Sequence, residues 1–144
     1  MNQRQSTAKW TGSLKEGGGT MKVGETGWEG KFSFPSRFES ADGTNPEELI
    51  GAAHAGCFSM ALTASLGKAG FNPESVSTKA VVHFGMVDGA PTIAKIELQT
   101  EADVPDIDDA KFQEIANGAK ENCPVSKALA GTDIHLDAKL KVKA

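Results

Sequence analysis

Gly43-Thr44-Asn45-Pro46-Glu47-Glu48-Leu49-Ile50-Gly51-Ala52-Ala53-His54-Ala55-Gly56-Cys57-Phe58-Ser59-Met60-Ala61-Leu62 is the stretch that decides the fold of this chain. Asn45 is a good helix N-cap, and Pro46 suits the first helical position, where no backbone N–H is missed. Glu48 stands at the capping-box offset from Asn45, and Glu47 and Glu48 put negative charge at the positive end of the helix dipole. From Leu49 to Leu66 almost nothing is charged, and Gly51, Ala52, Ala53, Ala55, Gly56 and Ala61 keep the cylinder narrow. A helix that is apolar all round is expected to be buried on all sides. It predicts a core helix, ending near Gly67–Gly70, around which a sheet wraps.

The remaining composition bounds the function. A chain of 144 residues predicts one domain, 1–144, large enough for a real core. Net charge is −4 with no Lys/Arg run, which argues against nucleic-acid and anionic-membrane partners. The helix from Pro46 is long enough to raise a transmembrane reading, but Glu47, Glu48, His54 and the many Gly and Ala favour a soluble core helix. The polar start Met1–Thr7 has no apolar signal region, so a cytoplasmic location is expected.

On the N-terminal side, Thr7–Leu14, Thr20–Glu25 and Trp28–Phe34 read as a three-stranded meander. It is punctuated by Gly17-Gly18-Gly19 and Gly24-Glu25-Thr26-Gly27. The triple glycine lacks a GxxxxGK[ST] frame and a following helix, so it predicts a hairpin turn rather than a phosphate cradle. Pro35–Asp42 reads as a polar connector carrying Arg37 and Glu39. On the C-terminal side, Asn72–Ser75 is a turn or brief helical start. Val76–Phe84 and Thr92–Val104 are two long strands around Asp88-Gly89, a favoured hairpin dipeptide. Ile93 breaks the alternation of the second strand; from Ala94 onward apolar and charged residues alternate. Asp106–Asn122 is a helix with Phe112, Ile115, Ala116 and Ala119 as its buried stripe and Lys120 near its end. A short helix follows, with Asn122 or Cys123 at its cap, Pro124 at its first position and Gly131 as its stop. Ile134–Lys143 alternates strictly and reads as a strand. The order βββ-α-ββ-αα-β is an α+β pattern with mostly antiparallel pairing.

Chemistry centres on the two cysteines, Cys57 and Cys123. A thiol on an apolar helix is inert unless a cation lies near, and Arg37 and His54 are the candidates in type. His54 stands three residues before Cys57 and shares its helix face. Cys123 precedes a proline at a helix start, where backbone N–H groups stabilise a thiolate. One buried thiol and one at a helix mouth fit a peroxidatic and resolving pair, in which a sulfenic acid condenses with a second thiol to a disulfide. A metal site built from Cys57, Cys123 and one of His54, His83 or His135 competes with this. It lacks the CxxC and HxxxH spacings that make zinc sites recognisable. No GxSxG elbow supports a serine hydrolase. His83 and His135 read as ordinary strand residues.

The stretch Thr44–Leu62, with Asn122-Cys123-Pro124-Val125-Ser126 after the second helix, resembles the osmotically inducible protein C (OsmC) group of the OsmC/organic hydroperoxide resistance superfamily. The likeness covers nearly the whole chain, and the His54-Ala55-x-Cys57 form and the contexts of Trp10 and Arg37-Phe38-Glu39 are closer to the OsmC branch. The resemblance implies a fold of antiparallel sheets wrapped around a long central helix, in an intertwined homodimer. It implies a thiol-dependent peroxidase acting on organic hydroperoxides and hydrogen peroxide, without metal or flavin, and reduced by an external dithiol that is lipoyl-linked in the sister branch. Carried over by residue, Cys57 matches the peroxidatic cysteine, Cys123 the resolving one, Glu47 the motif glutamate and Arg37 the arginine of the OsmC branch.

Helix geometry adds a constraint. Glu47 and Cys57 lie on one helix roughly 15 Å apart at ~1.5 Å per residue. A cluster of Arg37, Glu47 and Cys57 within one chain would strain that distance, so donation of Arg37 and Glu47 from a partner subunit is expected. Two other classes of function remain open on sequence: a non-catalytic ligand-binding stress protein, and a thiol-based metal or redox sensor.

Overall fold

The computed structural model describes residues 1–25 and 27–141. Thr26 of the Gly24–Gly27 segment, and Val142 and Lys143 at the end of the expected last strand, lie outside the described residues. The chain falls into two compact units. The first is Met1–Leu49 and the second begins at Ile50, four residues into the long helix.

The first unit is an antiparallel meander of β1 (Ser6–Thr11), β2 (Gly18–Val23) and β3 (Glu29–Phe32), followed by a short helix α1 (Phe34–Phe38). The β1–β2 turn lies earlier than expected. It closes with Gly17 N–H donating to Ser13 O at 2.8 Å, and Gly18 and Gly19 belong to β2. Gly19 is glycine because the Trp10 and Phe32 rings meet over it, 5.3 Å apart between centroids; a Cβ there would come within 2.8 Å of both. The expected connector Pro35–Asp42 instead begins as α1. Ser33 and Ser36 form a reciprocal capping box, with Ser36 N–H donating to Ser33 Oγ at 3.1 Å and Ser33 N–H to Ser36 Oγ at 2.8 Å. A Ser standing where the box usually has Glu or Gln hides that start signal.

The long helix α2 runs Pro46–Lys68. Asn45 caps it, its Oδ1 accepting from Glu48 N–H at 2.9 Å. The Glu48 carboxylate does not complete the box; it accepts from Thr44 Oγ1 at 2.9 Å.

In the second unit, β4 (Ser75–Val87) and β5 (Ala90–Asp103) form an antiparallel hairpin. Asp88 and Gly89 turn it with φ of 51° and 81°, the left-handed pair that a two-residue hairpin loop needs. The broken alternation at Ile93 is a β-bulge, where the register shifts between His83 and Phe84. Next come α3 (Asp109–Asn122), α4 (Pro124–Ala128) and β6 (Asp133–Leu140). Helix α3 starts later than expected because Asp108 is its N-cap, accepting from Lys111 N–H at 2.8 Å, and Asp106 takes a left-handed φ of 68°. Strand β6 pairs parallel to β5, so this sheet is mixed. The crossover explains it: strands joined through two helices return in the same direction.

The core of this unit gathers Phe58, Leu62 and Leu66 from α2, Ile96, Leu98 and Ala102 from β5, and Phe112, Ala116 and Ala119 from α3. Helix α2 lies close on the hairpin: a Cβ on Gly51 would sit 3.3 Å from Val82 Cγ2, and Ser59 Oγ donates to Thr78 Oγ1 at 2.7 Å. The expectation that α2 is buried all round fails. His54, Phe58, Leu62 and Leu66, at four-residue spacing, are fully buried, whereas Ala52, Ala53, Gly56, Thr63 and Ala64 are exposed and Met60 is 77 % exposed. One chain's sheet reaches one side of a cylinder.

Leu62→Ala should therefore cost about 2–5 kcal/mol of folding free energy, the usual range for a closed core site. Urea denaturation of the second unit's signal checks it, and a loss below ~1 kcal/mol would contradict this packing.

Candidate functional site

Each unit contributes one pair of chemically distinctive side chains. In the first, α1 and the start of α2 are tied together by Ser36 Oγ donating to Thr44 O at 2.7 Å and Asn45 Nδ2 donating to Ser36 O at 3.1 Å. That tie sets Arg37 against Glu47. Arg37 Nη2 donates to Glu47 Oε1 at 2.7 Å, and Nε lies 3.1 and 3.3 Å from the two carboxylate oxygens. This is the fork geometry that holds a guanidinium plane in one orientation. Glu47 is buried, while the Arg37 side chain keeps 36 % exposure and its guanidinium lies over the Phe38 ring at 5.6 Å. Arg37 thus presents an oriented positive charge at the surface of the unit.

In the second unit, α2 brings Cys57 to the start of α4, where Cys123 is the N-cap. Both thiols are reduced, and their sulfurs lie 2.9 Å apart. At that distance the two thiols titrate together, and once the first proton is lost the remaining one is shared between the sulfurs. Burial pushes Cys57 above its ordinary value, and hydrogen bonding with Cys123 adds to this against a lowering contact from Val125 N–H. Burial acts the same way on Cys123. There it is outweighed by hydrogen bonding with Cys57 and by the polar groups of Ser126 and Val125 at the start of α4, which together bring Cys123 below its ordinary value. The surroundings of Cys123 favour a charge there more than those of Cys57 do, while the titration belongs to the pair as a whole.

His54, one of the two candidate cations for Cys57, does not supply a charge. Its side chain is fully buried, its Nε2 lies 2.7 Å from Ser126 Oγ, and burial lowers its pKa. It is a neutral imidazole at pH 7. Ser126 is the functional-site residue that sequence reasoning missed; the signal was a hydroxyl three residues after a cysteine at a helix start. Among the described residues, no three His, Cys, Asp or Glu gather closely enough to hold a metal ion. His83 pairs with Glu97 at 3.5 Å and His135 with Asp133 at 2.8 Å, as half-exposed strand residues do.

Residues 39–139 match the family described as OsmC-like protein. The chain belongs to the OsmC-like family. It is 48 % identical over 140 residues to the peroxiredoxin OsmC of Escherichia coli K12, covering 96 % of each chain. It is 35 % identical over 105 residues to the organic hydroperoxide resistance protein OhrB of Bacillus subtilis, covering 73 % of this chain and 74 % of that one. The crystal structure of that OhrB superposes with a TM-score of 0.70 at 27 % identity, covering 95 % of this chain and 98 % of the other. An OsmC-like protein of unknown function from Vibrio cholerae shares the fold, with a TM-score of 0.75 at 17 % identity and coverage of 96 % and 99 %.

The buried imidazole makes stability depend on pH in a defined direction. His54 takes up a proton near 6.5 in the unfolded chain and only at lower pH when folded. Its contribution is complete above about 6.5 and is lost as pH falls through the folded value. Urea midpoints at pH 7.5 and 5.5 should fall less in His54→Gln than in the parent. Equal losses in the two proteins would show that His54 does not carry this dependence.

Proposed function

We propose that this protein is a thiol-dependent peroxidase that reduces organic hydroperoxides and hydrogen peroxide, using Cys57 as the attacking thiol and Cys123 as the resolving one. The observation that carries this is the 2.9 Å contact between two reduced thiols from distant parts of the chain, in a protein 48 % identical to a peroxiredoxin. The Cys57 thiolate attacks the peroxide O–O bond. A sulfenic acid forms on Cys57, and the alkoxide leaves as alcohol after taking a proton. Cys123 then attacks the Cys57 sulfur, closing a disulfide and releasing water. An external dithiol reopens it by thiol–disulfide exchange, with no metal or flavin. Thiols that must start each cycle reduced suit a cytoplasmic location.

The Arg37–Glu47 pair supplies what Cys57 needs. A thiol held up by burial becomes nucleophilic beside a fixed cation, and a guanidinium pinned by a carboxylate fork also orients the peroxide oxygens. Roughly three helical turns separate Glu47 from Cys57, so the cation comes from a second copy of the chain. The exposed side of α2 favours the same assembly. A cleft of about 460 Å³ lined by Met60, Ala64, Pro73 and Val76 follows it. Bare apolar surface on a core helix is an area that a homodimer would cover.

Steady-state reduction of cumene hydroperoxide with excess dithiol should fall to background in Cys57→Ser. Cys123→Ser should consume about one equivalent and accumulate sulfenic acid. Undiminished turnover in Cys57→Ser would end the proposal. Arg37→Ala should lower kcat/KM by about 10²-fold, the scale of losing one preorganised charge contact. Mixing Cys57→Ser with Arg37→Ala chains tests donation between subunits. Random exchange in a two-fold dimer should restore about a quarter of parental activity, because half the dimers are mixed and each holds one intact site. No recovery after verified exchange would place both residues in the same chain's site.

A further inference from the structure

Two polar side chains beside the thiols have no part in the mechanism above. His54 is fully buried on α2, and Ser126 is buried on the first turn of α4. They meet at 2.7 Å, and Ser126 stands on the first turn of the helix that Cys123 caps, where its hydroxyl is among the groups that lower the Cys123 thiol. The other imidazole nitrogen, Nδ1, is buried without a hydrogen-bond partner among the described residues. That decides the tautomer. A buried N–H left without a partner is the more costly choice, so the proton sits on Nε2 and the bare nitrogen is the acceptor Nδ1. Nε2–H then donates to Ser126 Oγ. The single hydroxyl proton of Ser126 is left free to point at Cys123.

We propose that His54 is a positioning residue that, acting through Ser126, keeps a hydroxyl donor aimed at the Cys123 sulfur and so makes Cys123 a fast resolving nucleophile. This inference rests on the peroxidase reading for its catalytic consequence, but the hydrogen-bond chain does not. In the resolving step the Cys123 sulfur bonds to the Cys57 sulfur and the Cys57 S–O bond breaks. The departing hydroxide leaves as water with the proton given up by Cys123. The Ser126 hydroxyl stabilises the sulfur charge before that bond forms. It also stabilises the same charge when an external dithiol attacks Cys57 and expels Cys123. Without His54, the hydroxyl would be free to turn toward a backbone carbonyl, as serines in a helix do. The titratable groups set against this cluster are Cys57 and His54, both from α2. Of the charged residues flanking it on α3 and α4, Lys120 reaches the Ile134 carbonyl at 3.5 Å, and Glu121 and Lys127 are exposed.

Two readouts on the full chain test this. The first follows thiolate ultraviolet absorbance against pH in a Cys57→Ser background, where Cys123 titrates alone. The second gives the reduced protein one equivalent of cumene hydroperoxide and compares the rate of disulfide closure with that of sulfenic-acid formation. Ser126→Ala and His54→Leu should move the Cys123 titration to higher pH and lower the ratio about tenfold, the scale of one hydrogen bond to a charged group. Ser126→Thr and His54→Gln, which keep a hydroxyl and a donor, should restore both. An unmoved titration in folded Ser126→Ala, or loss in His54→Leu that His54→Gln does not recover, would overturn the proposal. If the parent consumes no hydroperoxide, the peroxidase reading fails, and the titration alone still decides the role of His54 and Ser126.

Discussion

One-sided burial of α2 is the constraint on which the second unit depends. Phe58, Leu62 and Leu66 recur every four residues, and packing that row into the hairpin fixes the helix's rotation. Rotation then fixes chemistry. His54 continues the buried row and is driven inside, while Cys57, one position before Phe58, falls at the edge of the contact and stays half-exposed. Glycine at 51 lets the helix settle against Val82, and the Ser59–Thr78–Thr100 hydroxyl ladder satisfies polar groups that this closeness buries. The thiol pair follows from packing. Cys57 can meet Cys123 because α3 and α4 share the same apolar core.

Much of this was legible because it is written in local rules. Asn45-Pro46 announces the start of α2, Asp88-Gly89 demands a left-handed turn, and the alternation of β5 names its buried face. The Phe112–Ala119 stripe orients α3. The long motif around Cys57 and the short one around Cys123 point to the OsmC-like family, to which the chain belongs. The thiols meeting at 2.9 Å is what a shared core would have to produce if those motifs act together.

What stayed hidden depended on neighbours distant in sequence or on signals that imitate others. Apolarity all around α2 says that both sides avoid water, and cannot say which side its own chain covers. The parallel pairing of β6 is set by the crossover through α3 and α4, to which strand composition is blind. Gly17–Gly19 looked like a turn, yet Gly19 is small to admit two rings from neighbouring strands. His54 looked like a cation beside Cys57, since helical spacing reports a shared face and says nothing of burial; with the ring inside, its charge is lost and its partner is Ser126.

The balance of charge between the two thiols ties these features together. In the reduced pair the environment favours the charge on Cys123, held by backbone N–H groups and the Ser126 hydroxyl, over Cys57, held up by burial. That order suits the later half of a peroxidase cycle. A resolving cysteine must be a thiolate when it attacks, and a good leaving group when the disulfide is reopened. It does not suit the first half, in which Cys57 must carry the charge. A fixed cation near Cys57 would reverse the order, and the oriented guanidinium of Arg37 is a cation of that kind. If Cys57 is the attacking thiol and the arginine comes from another copy, as proposed above, that thiol would stay quiet until the chains had assembled.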